Sequence, residues 1–140
     1  MTYISPALRT LVIQRAGNCC EYCLLPQDGF RSTFHLDHVV SQKHGGLTSE
    51  DNLCLCCVNC NLSKGTDISA YDAVTEAYHG LFNPRLDPWD EHFRLNGVRI
   101  EPLTPQGRVT EAVLQLNHPE RLTQRRIFAD KGTFPCKKPE

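Results

Sequence analysis

No stretch of the chain approaches the ~20 consecutive apolar residues that cross a bilayer, so no membrane association is expected. The N-terminal MTYISPALRTLVIQRAG has no apolar core followed by a small-residue cleavage site. It reads as a short amphipathic helix and not an export signal, which implies a cytoplasmic protein with reduced cysteines. Nor is there a surplus of one charge. The formal net charge is −1 and the pI about 6.6, which excludes a globally basic nucleic-acid coat and leaves any such contact to local clusters. Internal repeats and low-complexity tracts are absent. Hydrophobic residues make up only 40% of the 140 residues, the size of one ordinary domain. A core that modest is often reinforced by a staple such as a metal.

What the chain does have is cysteine, eight in all. Seven fall in two knots, Cys19, Cys20 and Cys23, then Cys54, Cys56, Cys57 and Cys60, with Cys136 far away. Each knot holds one C-x-x-C pair, Cys20/Cys23 and Cys57/Cys60. Two such pairs build tetrahedral zinc sites, and the grouping favours metal over disulfides. Cys19 or Cys56 could replace a neighbour, but only Cys20 and Cys57 have the two-residue spacing. Cys54 and Cys56 read as buried free thiols on an alternating strand, and Cys136 as a bystander. A closed four-thiolate site leaves no coordination position for chemistry, so the zinc is expected to be structural.

Pro6 opens a helix over 6–16, stopped by Gly17 and Asn18. Residues 33–38 read as a strand, 41–51 as a polar loop with a Gly45-Gly46 turn, 52–56 as a second strand, and 57–64 as a short helix. Beyond it, 92–103 reads as a hairpin turning at Asn96-Gly97. Thr104-Pro105 opens a helix with an apolar face of Val109, Ala112, Val113 and Leu116. A last helix spans 120–130.

FHLDHVV, residues 34–40, is an unusual strand, because His35, Asp37 and His38 interrupt its apolar positions. Alternation places His35 and Asp37 on one face and His38 on the other. Asp37 and His38 can serve one site only if the regular strand stops at about that pair.

HLDHVVSQKHGGLTSEDNLCLCCVNCNLSKG resembles the HNH endonuclease family. The pattern is carried by Asp37-His38, Gly45-Gly46, Asn52-Leu53, Cys57-x-x-Cys60-Asn61 and Lys64-Gly65. The final histidine of the family name is Asn61 here, an H-N-N variant, and the proline usual after the D-H pair is absent. Residues 80–135 resemble more weakly the extension of some bacterial, notably cyanobacterial, HNH proteins, through LFNPR, PWDEHF, TPQGRVTEAVLQLN and ERLTQRR. The resemblance implies an α+β protein with a ββα-metal (His-Me finger) core stapled by a four-cysteine zinc site, followed by a hairpin and two helices. Within one domain, 1–18 would be the N-terminal helix, 19–66 the core and 67–140 the extension.

By the same resemblance His38 is the general base, Asp37 and Asn61 hold a catalytic divalent cation, Mg²⁺ or Mn²⁺, and Asn52 pins the loop that aims His38. A histidine can accept a proton near neutral pH, and a carboxylate plus an amide suits a hard cation that also takes water and phosphate oxygens. Spacing along the helix puts Lys64 within reach of a phosphate. His35 faces either the catalytic side or solvent. Arg121, Arg125 and Arg126 form either a phosphate-binding patch or a solvated helix face, and Trp89 is read as a core anchor. The function implied is metal-dependent hydrolysis of DNA, double-stranded, by a monomer or dimer. The alternative is a zinc-stapled nucleic-acid-binding module without catalysis, which would have no use for Asp37 beside His38. A zinc hydrolase is disfavoured by the closed four-thiolate site, and a thiol redox protein by the lack of a βαβ context.

Overall fold

Ser5 starts the first helix by accepting a hydrogen bond from the Leu8 amide, with Pro6 where no amide is needed. A computed structural model of the protein describes residues 2–139. In it this helix, α1 (Pro6–Arg15), buries Val12, and Ala16 just beyond it is fully enclosed. Arg15 donates to the carbonyls of Glu50 and Leu53 at 2.8 and 2.7 Å, which docks α1 on the second strand.

The central unit is β1 (His35–His38), β2 (Leu53–Cys56) and α2 (Val58–Lys64). The strands are antiparallel, with Asp37 opposite Cys54 and His38 opposite Leu53. All four residues of β2 are buried, so it is the inner strand. β1 is shorter at its start than expected and ends at His38, where the chain turns away into the loop.

The remainder is α+β as expected, with more elements than the sequence suggested. An additional hairpin, β3 (Ser69–Asp72) and β4 (Ala77–Gly80), precedes a short helix α3 (Trp89–His92). Its turn carries none of the Asn-Gly or Asp-Gly chemistry that marks a hairpin. Asp72 holds it instead, accepting from the Thr75 amide and hydroxyl. The next hairpin, β5 (Phe93–Asn96) and β6 (Arg99–Pro102), pairs Asn96 with Arg99. Its two-residue loop is therefore Gly97-Val98, one residue later than expected. Gly97 takes the positive φ of 62°, as the first position of a II′ turn requires. α4 (Pro105–Leu114) is capped by Thr104 and α5 (Pro119–Asp130) by His118.

One hydrophobic cluster runs from Ala16 to Phe134 and draws on the ββα unit, β5, β6, α4 and α5. Trp89 packs against it half-buried and donates to the Tyr22 carbonyl at 2.9 Å. Glu21, buried at 1% exposure, accepts from the Leu55 amide and pairs with Arg85 and Lys138, so a single carboxylate ties β2 to the later chain. No helix among the described residues is long and apolar enough to cross a membrane.

The expectation of eight reduced cysteines is corrected. Cys19 and Cys136, 117 residues apart, form a disulfide, and the Cys136 amide donates to the Leu24 carbonyl. Cys136 is no bystander. Its partner comes from the far end of the chain, a pairing that local spacing cannot reveal.

Candidate functional site

Cys20, Cys23, Cys57 and Cys60 bring their sulfurs within 4.8 Å of one another, all buried. Both pairs use the same local device. The Cys23 amide points at Cys20 Sγ and the Cys60 amide at Cys57 Sγ, each at 3.5 Å, so each first cysteine is oriented by the turn it opens. Cys57 is also the N-cap of α2, which places Cys60 on the first turn. Tetrahedral zinc with Zn–S near 2.3 Å requires sulfurs about 3.8 Å apart. Cys23 and Cys57 lie at 3.7 Å, and the all-thiolate set suits zinc. Burial pushes the Cys20 and Cys60 thiols well up. Burial raises Cys23 too, but hydrogen bonds from the other three sulfurs and the nearby Arg121 outweigh it and leave Cys23 well below its ordinary value. The cluster is a four-cysteine zinc-binding site. Cys54 and Cys56 are buried on β2 outside it, and burial raises both thiols.

On the other side of α2, Asp37, His38 and Asn61 line one open cavity of about 270 Å³ with Ser41, Lys43 and Thr66. The strand ending at His38 lets two sequence neighbours face the same space. Asp37 is 7% exposed. Its Oδ2 accepts from the Tyr22 hydroxyl and pairs with Lys64 Nζ, both at 3.1 Å, with Cys54 Sγ at 3.8 Å. Among the described residues no hydrogen bond or ion pair falls on Oδ1. Burial raises the Asp37 pKa above its ordinary value, and the Lys64 ammonium and Tyr22 hydroxyl oppose that rise.

Lys64 itself is 1% exposed and does not line the cavity; its ammonium also donates to the His38 carbonyl at 3.0 Å. The side chain that spacing placed toward a phosphate thus lies beneath the site, because position 64 falls on the same inward face of α2 as Cys57 and Cys60. His35 is exposed at the start of β1 and is not part of the cavity wall.

Asn52 lies behind the cavity and bonds three backbone groups at 2.9 Å. Its Oδ1 accepts from the Val40 amide, and its Nδ2 donates to the carbonyls of Val40 and Leu47. Gly46 completes this clamp. A Cβ there would sit 1.7 Å from the Val40 carbonyl oxygen and 2.8 Å from Asn52 Nδ2. The clamped loop also delivers Thr48, whose hydroxyl is 2.8 Å from His38 Nε2. Sequence reasoning missed Thr48 and Tyr22. Neither has a spacing signature, since both act through contacts with partners on other elements.

Of the two alternatives for the arginines of α5, the basic patch does not form. Arg121 and Arg125 are buried and only Arg126 faces outward, because positions 121, 125 and 128 make the inward stripe of the helix. The solvated-face alternative fails for the same two residues.

No curated protein and no solved structure matches the chain. A family model described as HNH endonuclease matches residues 20–67, the stretch that runs from the first zinc ligand past the end of α2. It spans the four thiolates, the ββα unit and the cavity beside them, so the whole candidate site lies within the stretch that matches the HNH endonuclease model.

Proposed function

We propose that the protein is a metal-dependent endonuclease that hydrolyses phosphodiester bonds in double-stranded DNA. The observation that carries this reading is the convergence of Asp37, His38 and Asn61 on one open cavity, separate from a closed set of four thiolates. A module that only bound nucleic acid would need the thiolates but not this second cluster.

His38 is the general base. Thr48 faces Nε2, so a ring that donates Nε2–H to the Thr48 hydroxyl presents an unprotonated Nδ1 to a water. Asn52 and Gly46 hold the loop that fixes this orientation. Asp37 through Oδ1 and Asn61 through its amide oxygen are hard oxygen donors on the cavity wall, a sparse pair that fits Mg²⁺ or Mn²⁺. When bound, such a cation supplies Lewis-acid stabilisation of the phosphate and the leaving oxygen. Lys64 and Tyr22 oppose the rise that burial imposes on Asp37 and engage Oδ2, which leaves Oδ1 for the cation. This assigns Lys64 to positioning. Lys43, on the cavity wall, is the cation available to a phosphate. Residues 1–18, 19–66 and 67–140 work as one domain. A single such site nicks one strand, and cutting both strands requires a dimer or two events.

The test is supercoiled plasmid incubated with Mg²⁺ or Mn²⁺, wild type against His38→Ala. Nicking by wild type and its loss in the variant are expected. Intact plasmid with wild type under varied metals and salts would sink the nuclease reading, and an undiminished His38→Ala variant would sink the assigned base.

A further inference from the structure

Four thiolates around a dication carry a net charge of about −2. The four cysteines are between 0% and 2% exposed, so water cannot solvate that charge. A buried charge without compensation is strongly unfavourable, so a counter-charge is required.

The ββα unit does not supply it, since its one buried cation, Lys64, is committed to Asp37. Helix α5 does. Arg121 is 4% exposed; its Nη2 lies 2.9 Å from Cys60 Sγ while Nη1 donates to the Leu114 carbonyl at 2.9 Å. One turn later Arg125 is fully buried and bonds only the Val98 carbonyl and the Asn117 amide oxygen. Among the described residues neither guanidinium forms an ion pair with a carboxylate. Two interior cations on one helix face are thus balanced by no acid, while two negative charges sit beside them on sulfur.

We propose that Arg121, with Arg125 behind it, is the outer-shell counter-charge of the four-thiolate metal centre, and that docking of α5 is thereby coupled to metal loading. The extension is then part of the metal site rather than an appendage to it. Arg121 acts as a positioning residue: its N–H···S bond orients Cys60 and draws charge from the sulfur. Without metal the four sulfurs are no longer drawn together, the partner that Arg121 Nη2 bonds at Cys60 Sγ is no longer fixed, and α5 is held less firmly. The coupling is independent of whether the protein cuts DNA.

The experiment uses the full chain. Zinc affinity is read by competition with a chromophoric chelator for wild type, Arg121→Met, Arg121→Lys and, as a control on the outer face of the same helix, Arg126→Met. Arg121→Met is expected to bind roughly 10–100-fold more weakly, the usual effect of losing an outer-shell partner, and Arg126→Met to match wild type. In the cobalt-substituted protein the sulfur-to-metal charge-transfer band should shift in Arg121→Met and Arg121→Lys, a change that packing loss alone does not produce. Hydrogen exchange over residues 119–130 should rise on chelation in wild type. If Arg121→Met does not fold, Arg121→Lys decides through its affinity and its cobalt band. Wild-type affinity with an unshifted band in the folding variants, or exchange in α5 that ignores zinc, overturns the proposal.

Discussion

Replacing Asn52 by alanine tests how the loop over residues 41–51 is held. The side chain makes three hydrogen bonds of 2.9 Å, two to Val40 and one to the Leu47 carbonyl. A net hydrogen bond contributes about 1 kcal/mol, which sets a ceiling near ~3 kcal/mol. The bond to Leu47 is exposed and water can replace it, so about 2 kcal/mol is expected. With a urea slope of roughly 2 kcal/mol/M, the unfolding midpoint should fall by about 1 M. Asn52→Asp separates the two roles of the amide. It keeps an acceptor for the Val40 amide but sets a carboxylate against two carbonyl oxygens, so it should be no more stable than Asn52→Ala. Hydrogen exchange should quicken over residues 40–48 in both, and plasmid nicking should fall because Thr48 no longer meets His38. An Asn52→Ala protein with the wild-type midpoint and unchanged exchange would refute the clamp.

Thr48→Val removes the only side-chain partner of His38 Nε2 among the described residues, at a cost of about 1 kcal/mol in the transition state, or roughly 5-fold in nicking rate; Thr48→Ser should restore the rate, and an unimpaired Thr48→Val would remove Thr48 from the mechanism. Asp72 is held well below the usual carboxylate range, first by its hydrogen bonds from Arg108, with burial opposing and Thr75 assisting. A depressed pKa in the folded state contributes stability above the unfolded-state value and loses it as pH falls through the folded one. The stability gap between wild type and Asp72→Asn, read from melting curves, should therefore be full at neutral pH, begin to narrow below about pH 4 and keep narrowing with further acid; a gap that does not narrow in acid contradicts the ion pair. Alkylation of the denatured, chelated but unreduced chain should modify six cysteines, and eight after reduction, read by mass; eight before reduction rules out the Cys19–Cys136 bond.

The readable parts of this protein are those whose partners are near in sequence. Cys20/Cys23 and Cys57/Cys60 are legible because two intervening residues let one turn aim both sulfurs. The cap at Thr104 is legible because it bonds an amide three residues on. The D-H, N and C-x-x-C-N positions were legible because the motif that carries them is compact, and β1 ends at His38 as the chemistry of FHLDHVV required. The β3–β4 hairpin escaped notice because Asp72 and Thr75 hold its turn with side chains that no turn signature includes. The β5–β6 register slipped by one because either Asn96 or Gly97 can open a two-residue loop, and pairing across the strands makes the choice.

By itself the sequence pointed to the four thiolates, the ββα unit and three of the residues that line the cavity, Asp37, His38 and Asn61. In each, short local motifs (a C-x-x-C turn, the Asp37-His38 pair, Cys60-Asn61 on one helix turn) mark the residues that folding then brings together. Tertiary structure alone decided the fate of charges and thiols whose partners lie far away: Lys64 turned under Asp37, Arg121 set on Cys60, Cys19 joined to Cys136. A buried charge takes whatever counter-charge the packed core presents, and which one that is depends on how distant segments meet rather than on the spacing around it.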